Sequence, residues 1–177
     1  IPPSLLCVDS DWTLSDFDFD NESEFIDCNN ICFSLQDMNI LQQFIHNSQS
    51  GNNPPPSDLD PLELGFQLWS STGTLKMFCG TGEDHEDIWG GLSITEYELS
   101  GEIPMMIGGL DELVTMDLRY NQLSGNIPTQ IEDLNNLMIL TIMSTSMTGE
   151  FPTEIWNLYN LLMLSISYNQ CTGNISS

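Results

Sequence analysis

The sequence contains very few cations: of its 177 residues, two are Lys or Arg and 26 are Asp or Glu. The two cations are Lys76 and Arg119, and the formal net charge is −24 at pH 7. Because proteins hold phosphates with clustered Lys and Arg, this balance argues strongly against nucleic acid as a partner and weighs against anionic membrane surfaces. Three explanations of the acidity remain: solubility in high salt, binding of divalent cations, or attraction to basic partners.

Long apolar runs and catalytic motifs are also missing from the sequence. No segment reaches the roughly 18 consecutive apolar residues of a membrane span. His46 and His85 lie in no recognisable nucleophile or metal pattern, and the motifs GxSxG, HExxH and CxxC do not occur. We therefore expect a non-enzymatic protein that needs no cofactor.

Cysteines and sequons indicate where the protein works. The five cysteines are Cys7, Cys28, Cys32, Cys79 and Cys171. Sequons at Asn21 and Asn174 permit N-glycosylation. Together these features favour an oxidising, extracellular setting, either secreted or at the cell surface. The odd number of cysteines leaves one thiol free or paired between chains.

A period of 24 residues runs through the second half of the chain from Leu92 onward. One copy reads Leu113-x-x-Met116-x-Leu118-x-x-Asn121-x-Leu123-x-Gly125-x-Ile127-Pro128-x-x-Ile131, and later copies start at Leu137 and Leu161. The alternation of apolar and variable residues predicts a short strand in each copy. A single copy cannot bury its apolar residues alone, so stacked copies must share one core.

These residues resemble the plant-type leucine-rich repeat, LxxLxLxxNxLxGxIPxxIxxL, over roughly residues 86–177. The resemblance implies an α/β solenoid with a parallel β-sheet on its concave face. Asn121 and Asn169 keep the family's asparagine, which bonds the turn backbone of neighbouring repeats. Tyr97 and Thr145 replace it, and we expect a local distortion at Thr145 rather than a broken ladder.

The resemblance also implies that variable strand positions form a face that binds a protein or a glycan. These positions are Thr95, Glu96, Asp117, Arg119, Tyr120, Thr141, Met143, Ser165, Ser167 and Tyr168. Arg119 is the cation of this face and is suited to anchor a carboxylate or a sugar. The alternative is a solvated Arg119 paired with Asp117.

The N-terminal half divides into an acidic segment, 1–33, and a region, 34–91, before the repeats of 92–177, of which the last is incomplete. Apolar residues at helical spacing predict a helix over 34–47, with Ser34 and Asp37 as its N-cap pair. This helix, followed by Trp69 and Cys79, resembles the N-terminal cap of extracellular repeat proteins. It is also similar to caps in repeat-rich surface proteins of marine bacteria, which share features of Leu41–Ile45 and Asp60–Gly65.

Alternating acids in the first segment resemble the opening of a calcium loop. Asp16, Asp18 and Asp20 are spaced like the first ligands of such a loop, but Asn21 takes the place of the turn glycine. The alternatives are a solvated acidic loop or an edge strand.

The two ends of the chain look complementary in sequence. Ile1-Pro2-x-x-Leu5-x-x-Val8 matches Ile127-Pro128-x-x-Ile131-x-x-Leu134, whereas the last repeat stops soon after Cys171 and Ile175. One hypothesis is head-to-tail assembly into filaments, in which one copy completes the last repeat of the next. The alternative is that the chain is a piece of a longer repeat protein.

Overall fold

The structure is a computed structural model, and it describes residues 5–8, 31–70, 74–80 and 97–173. The strands are β1 (Leu5–Val8), β2 (Ile31–Ser34), β3 (Phe66–Trp69), β4 (Leu75–Cys79), β5 (Ser100–Glu102), β6 (Thr115–Asp117), β7 (Gln122–Gly125), β8 (Ile139–Thr141), β9 (Ser146–Met147) and β10 (Met163–Ser165). One α-helix, α1 (Leu35–Asn47), lies among the described residues, together with 3-10 helices at Ser48–Ser50, Pro61–Glu63, Met105–Gly109, Thr129–Asp133 and Thr153–Asn157.

The predicted helix over 34–47 is confirmed as α1. Ser34 is its N-cap: its hydroxyl accepts a hydrogen bond from the amide of Asp37 at 3.3 Å and donates one to the Asp37 carboxylate at 2.9 Å. The second carboxylate oxygen of Asp37 accepts a bond from the amide of Leu75 at 2.7 Å. The cap pair therefore also fastens the helix to β4.

The main sheet has the order β10-β8-β6-β4-β3, in which all neighbours are parallel except β3 and β4. A second parallel sheet has the order β5-β7-β9. Its strands β7 and β9 follow the main-sheet strands β6 and β8 along the chain. Strands β6, β8 and β10 begin at residues 115, 139 and 163, which is the spacing of the sequence repeat. Each repeat thus adds one strand to the main sheet, and the repeats that contain β6 and β8 end in a 3-10 helix.

The neighbour of β6 on the N-terminal side is a strand from before the repeats. It is β4, with Cys79 opposite Asp117. Because β8 occupies the other edge of β6, the strand beside the first complete repeat comes from the region before the repeats. Residues 92–95 themselves lie outside the described part of the chain.

One continuous core joins α1 to the repeats. Ile40, Leu41, Phe44 and Ile45 of the helix belong to the same buried cluster as the repeat positions from Leu99 to Leu158. At the far end the cluster thins, because four residues of the last repeat are only partly buried: Leu161, Leu164, Ile166 and Cys171.

Close packing of α1 on the second sheet depends on Gly101. Its φ of +72° lies in the left-handed region, and a Cβ built there would stand 2.4 Å from the carbonyl oxygen of Asn47. Only glycine fits this conformation at that separation. The end of the helix can therefore touch the backbone of β5.

A ladder of side-chain bonds from Asn121 connects neighbouring repeats. Its Oδ1 accepts from the amide of Leu99 at 2.8 Å, and its Nδ2 donates to the carbonyls of Gly80, Leu118 and Arg119. At the equivalent position Thr145 bonds Asn169 through its hydroxyl at 2.5 Å. Strands β7 and β9 remain paired there, so the ladder continues past the substitution.

The segment predicted to imitate a half-repeat has a different conformation. Leu5–Val8 forms β1 and pairs antiparallel with β2, whereas the matching repeat segment belongs to the 3-10 helix Thr129–Asp133. Similar spacing of apolar residues does not determine the backbone conformation of a segment. Here, pairing with β2 gives the backbone of Leu5–Val8 an alternative set of hydrogen bonds. In this structure Leu5 and Val8 are therefore strand residues, and Ile1, Pro2 and Ile175 lie outside the described residues.

Candidate ligand-binding surface

The sheet register sorts the predicted binding positions into columns that cross the strands. Met116, Leu140 and Leu164 form one column, which belongs to the core or packs on it. Asp117, Thr141 and Ser165 form the next, which faces away from the core because successive strand residues alternate sides. Thr95 and Glu96 lie outside the described residues.

Two members of the outward column are not available to a ligand. Asp117 is 5% exposed and Thr141 is 7% exposed. The prediction of an exposed face is therefore wrong at these two positions. Asp117 is covered because Arg119 folds over it, and Thr141 lies between Asp117 and Ser165 across strands that are only about 4.8 Å apart.

Arg119 and Asp117 form a two-pronged ion pair. The guanidinium donates from Nε to Oδ1 at 3.0 Å and approaches Oδ2 with Nη2 at 2.9 Å, while the amide of Arg119 also donates to Oδ1 at 3.1 Å. Their side chains are 12% and 7% exposed. The pairing that the sequence left as an alternative is present, but the pair is buried rather than solvated. Arg119 therefore stabilises the sheet surface instead of standing ready for a ligand.

The exposed part of the predicted surface follows the carboxyl ends of the strands. Tyr120, Ser144 and Tyr168, which we call the strand-end row, have positive φ angles of 55°, 55° and 59°. Tyr120 is 43% exposed and Tyr168 is 80% exposed. Met143 and Ser167 lie directly before two members of this row, half-buried and exposed respectively. The sequence identified Tyr120, Met143, Ser167 and Tyr168, but it did not indicate the backbone conformation that the strand-end row shares.

The strand-end row is supported by its neighbours. The amide of Tyr120 donates to the carbonyl of Met143, and the amide of Ser144 donates to that of Ser167, each at 3.1 Å. The Arg119 guanidinium also lies 5.9 Å from the centre of the Tyr120 ring, a distance at which cation and ring attract.

An open cavity of about 490 Å³ lies at the last repeat. Ser165, Ser167 and Tyr168 line it together with the apolar Phe151, Leu164, Ile166 and Cys171. Cys171 was predicted as a residue of an assembly contact. It is a free, half-buried thiol beside the carbonyl of Thr148, and burial raises its pKa.

A second exposed surface was missed by the sequence reasoning. Met105 and Met106 are 70% and 49% exposed, and with Gln36, Asn39 and Gln43 of α1 they line shallow grooves. A signal for this surface was available. The positions equivalent to these methionines in the next two repeats hold the polar residues Thr129, Gln130, Thr153 and Glu154.

The remaining predicted sites cannot be placed. The glycosylation positions Asn21 and Asn174 and the candidate calcium ligands Asp16, Asp18 and Asp20 lie outside the described residues. Within the described residues, no group of three or more His, Cys, Asp or Glu is close enough to hold a metal ion. Among those same residues, no helix has the length and apolar character to cross a membrane.

Comparison with known proteins rests on solved structures, because no family model and no curated protein matches the chain. The chain is similar to the complex PEPR1–AtPEP1, with a TM-score of 0.59 and 18% identity over 77% of this chain and 18% of that one. It is similar to the LRR ectodomain of the receptor kinase SOBIR1 from Arabidopsis thaliana, with a TM-score of 0.52 and 22% identity over 77% and 68%.

A third similar structure is a plant ice-binding protein, with a TM-score of 0.56 and 25% identity over 77% of this chain and 41% of that one. The chain thus spans less than a fifth of the PEPR1 chain and less than half of the ice-binding protein. Together with the parallel sheet and its repeated strands, these likenesses show that the chain has the α/β leucine-rich-repeat fold.

Proposed function

We propose that this chain is an extracellular, non-enzymatic interaction module that binds a protein or a glycan at the carboxyl ends of its parallel strands. The observation that supports it best is the strand-end row, where two exposed tyrosines occupy equivalent positions on either side of Ser144. Exposed aromatic residues of this size are enriched where proteins bind partners.

The backbone of the row suits binding because it is held in place. A left-handed conformation costs a non-glycine residue roughly 1–2 kcal/mol and persists only where surrounding structure imposes it. Here the bonds from Tyr120 and Ser144 to the next repeat impose it. A tyrosine on a fixed backbone offers a large amphipathic surface with only two side-chain torsions to order.

The spacing of the row sets the size of the contact. Tyr120 and Tyr168 lie two strands apart, so their backbones are separated by about 10 Å, twice the usual strand spacing. Ser144 and Ser167 supply hydroxyl groups between and beside the rings. This arrangement fits a chain of sugar rings or a short peptide segment rather than a small molecule enclosed in a pocket.

The charge of the chain limits the kinds of partner that the proposed surface can bind. Lys76 is paired with Glu112, and Arg119 is paired with Asp117, so both cations of the chain are already neutralised. The net charge of −24 then favours a neutral or basic partner and repels an acidic one.

The region before the repeats fits the role of an N-terminal cap. Helix α1 covers the repeat core at one end, and β4 and β3 extend the main sheet by two strands beyond β6. We therefore assign 34–91 to the cap and 92–177 to the binding solenoid. The cysteines and sequons of the sequence support secretion or display at the cell surface.

Two other functions are less well supported. Ice binding, suggested by the name of one similar structure, would favour a regular array of like side chains, whereas the outward column of the main sheet contains Asp117, Thr141 and Ser165 and the strand-end row alternates tyrosine and serine. Head-to-tail assembly through a half-repeat is less favoured because Leu5–Val8 pairs with its own chain.

The proposal is tested by replacing both tyrosines of the row. The purified chain is first applied to arrays of immobilised glycans and of neutral and basic peptides, and the strongest binder becomes the probe. The double variant Tyr120→Ala/Tyr168→Ala should then weaken binding by more than about tenfold, since removing central aromatic contacts typically costs more than 1.4 kcal/mol.

Tyr159→Ala is the matched control, because this tyrosine is 89% exposed but lies outside the strand-end row. It should leave binding unchanged. Equal losses in the control and the double variant, or no loss in either, would contradict the proposed surface.

A further inference from the structure

The pairing of β1 with β2 brings two cysteines together in register. Cys7 and Cys32 are direct partners in this antiparallel pair, between the partners Leu6–Phe33 and Val8–Ile31. Among the five cysteines of the chain, the described strands place these two opposite each other.

Direct partners in an antiparallel pair meet the distance requirement for a disulfide. Their Cα atoms lie about 4.5 or 5.5 Å apart, depending on whether the pair is hydrogen-bonded. Disulfides bridge Cα atoms about 4.4–6.8 Å apart, so both kinds of pair fall within the range. Forming the bond therefore requires no change in strand register.

The two cysteines also share one face of the pair. Cys7 and Cys32 are direct partners and hold the same position in the pleat, and Phe33 is the next residue of β2. Phe33 is buried against Trp69, with ring centres 4.8 Å apart, and packs with Met38 of α1. The apolar contacts of Phe33 thus anchor β2, the strand that contains Cys32.

We propose that Cys7 and Cys32 form a disulfide bond that ties the N-terminal strand to the segment leading into α1. This assignment is independent of the proposed ligand surface, whose residues belong to the repeats. The bond fixes β1 to the residue two positions before the helix N-cap, Ser34.

The chemistry is an oxidation by disulfide exchange. One cysteine thiolate attacks a low-molecular-weight disulfide such as oxidised glutathione and forms a mixed disulfide, releasing one thiol. The second thiolate then displaces the other glutathione. Two protein thiols thereby become one Cys7–Cys32 disulfide, and one oxidised glutathione is reduced to two thiols.

The other cysteines compete poorly or lie elsewhere. Cys79 is 3% exposed, and burial, with the neighbouring Asp117 charge, raises the pKa of its thiol to about 12, so its reactive thiolate is scarce. Cys171 belongs to the last repeat, far along the solenoid from β2. The true competitor is Cys28, four residues from Cys32 in the sequence.

Closing this bond would enclose the most acidic part of the chain. The residues between the two cysteines include eight acids and no Lys or Arg: Asp9, Asp11, Asp16, Asp18, Asp20, Glu22, Glu24 and Asp27. Self-repulsion of this segment opposes bringing its ends together. Oxidation should therefore proceed further at high salt, where the charges are screened.

The test maps the bond in the full chain after refolding with reduced and oxidised glutathione. Free thiols are alkylated under denaturing conditions, and the chain is cleaved after glutamate. Cleavage after Glu24 separates Cys7 from Cys28 and Cys32, which stay together because the next glutamate is Glu63. Mass spectrometry without reduction then shows whether the two peptides remain linked.

Cys28→Ser and Cys32→Ser are the matched variants that assign the partner. We expect linked peptides in the wild-type chain and in Cys28→Ser, and separate, alkylated peptides in Cys32→Ser. A link that survives in Cys32→Ser, or that is missing from the wild type or from Cys28→Ser, would overturn the assignment.

Discussion

Replacing Asn121 by alanine should destabilise the fold strongly. This side chain is 5% exposed and makes four hydrogen bonds to backbone groups, two in the chain before its repeat and two within the repeat. Two of its partners, the amide of Leu99 and the carbonyl of Gly80, belong to buried residues. Alanine leaves both groups without this partner.

The expected loss follows from the number of buried groups. Each buried backbone group that loses its hydrogen bond costs roughly 1–3 kcal/mol, so Asn121→Ala should cost about 2–5 kcal/mol. That is a large part of the roughly 5–15 kcal/mol that stabilises a typical protein. For a chain of this length a loss of about 3 kcal/mol lowers the melting temperature by roughly 6–12 °C.

Urea unfolding followed by circular dichroism and tryptophan fluorescence measures the loss. Asn160→Ala is the control, because Asn160 also bonds the backbone of the preceding repeat, to the carbonyl of Asn135 at 2.7 Å, but is exposed. The free energy of unfolding of Asn160→Ala should stay within about 0.5 kcal/mol of the wild-type value. Asn121→Thr introduces the residue that the chain has at the equivalent position, Thr145. Its loss of stability should fall between those of Asn121→Ala and Asn160→Ala.

The reasoning about the ladder would be refuted by a small effect. If Asn121→Ala stayed within about 0.5 kcal/mol of the wild type at an unchanged m-value, the four bonds would not stabilise the folded state. A loss equal to that of Asn160→Ala would show that burial of the bonds does not matter.

Three further predictions concern charge and sulfur. Burial is the main cause that raises the pKa of Asp37 in the folded chain, so the folded chain binds this proton more tightly than the unfolded chain. The free energy of unfolding of the wild type, compared with that of Asp37→Asn, should therefore rise as pH falls through the raised pKa towards 3.8. A difference between the two chains that does not change with pH would argue against this. Arg119→Ala should cost about 3–5 kcal/mol by leaving the buried Asp117 carboxylate without its partner, and adding Asp117→Asn should recover part of the loss in urea unfolding. Reduction of the proposed Cys7–Cys32 disulfide, which closes a loop of about 25 residues, should lower the free energy of unfolding by roughly 3.5 kcal/mol in the wild type and leave Cys32→Ser unaffected by reductant.

Local patterns in the sequence determined the elements that depend on near neighbours. The helix α1 and its Ser34–Asp37 cap follow from apolar spacing and cap chemistry within a few residues. The strands at 115, 139 and 163 follow from the repeat, since each copy has the same local pattern and must bury the same positions. Continuation of the ladder past Thr145 was also foreseen, because a hydroxyl can still bond a neighbouring asparagine.

Tertiary structure alone decided which strands pair outside the repeats and which side chains meet water. The placing of β4 beside β6, and of β1 beside β2, depends on contacts between segments far apart in sequence, which no local pattern encodes. The burial of Asp117 and Thr141 likewise depends on what lies across the sheet, so residues that look alike in the repeat pattern differ in exposure. The exposure of the tyrosines also depends on the tertiary structure. The repeat pattern sets the backbone conformation of Tyr120 and Tyr168, but the stacking of the strands leaves them at the surface while Arg119 folds inward.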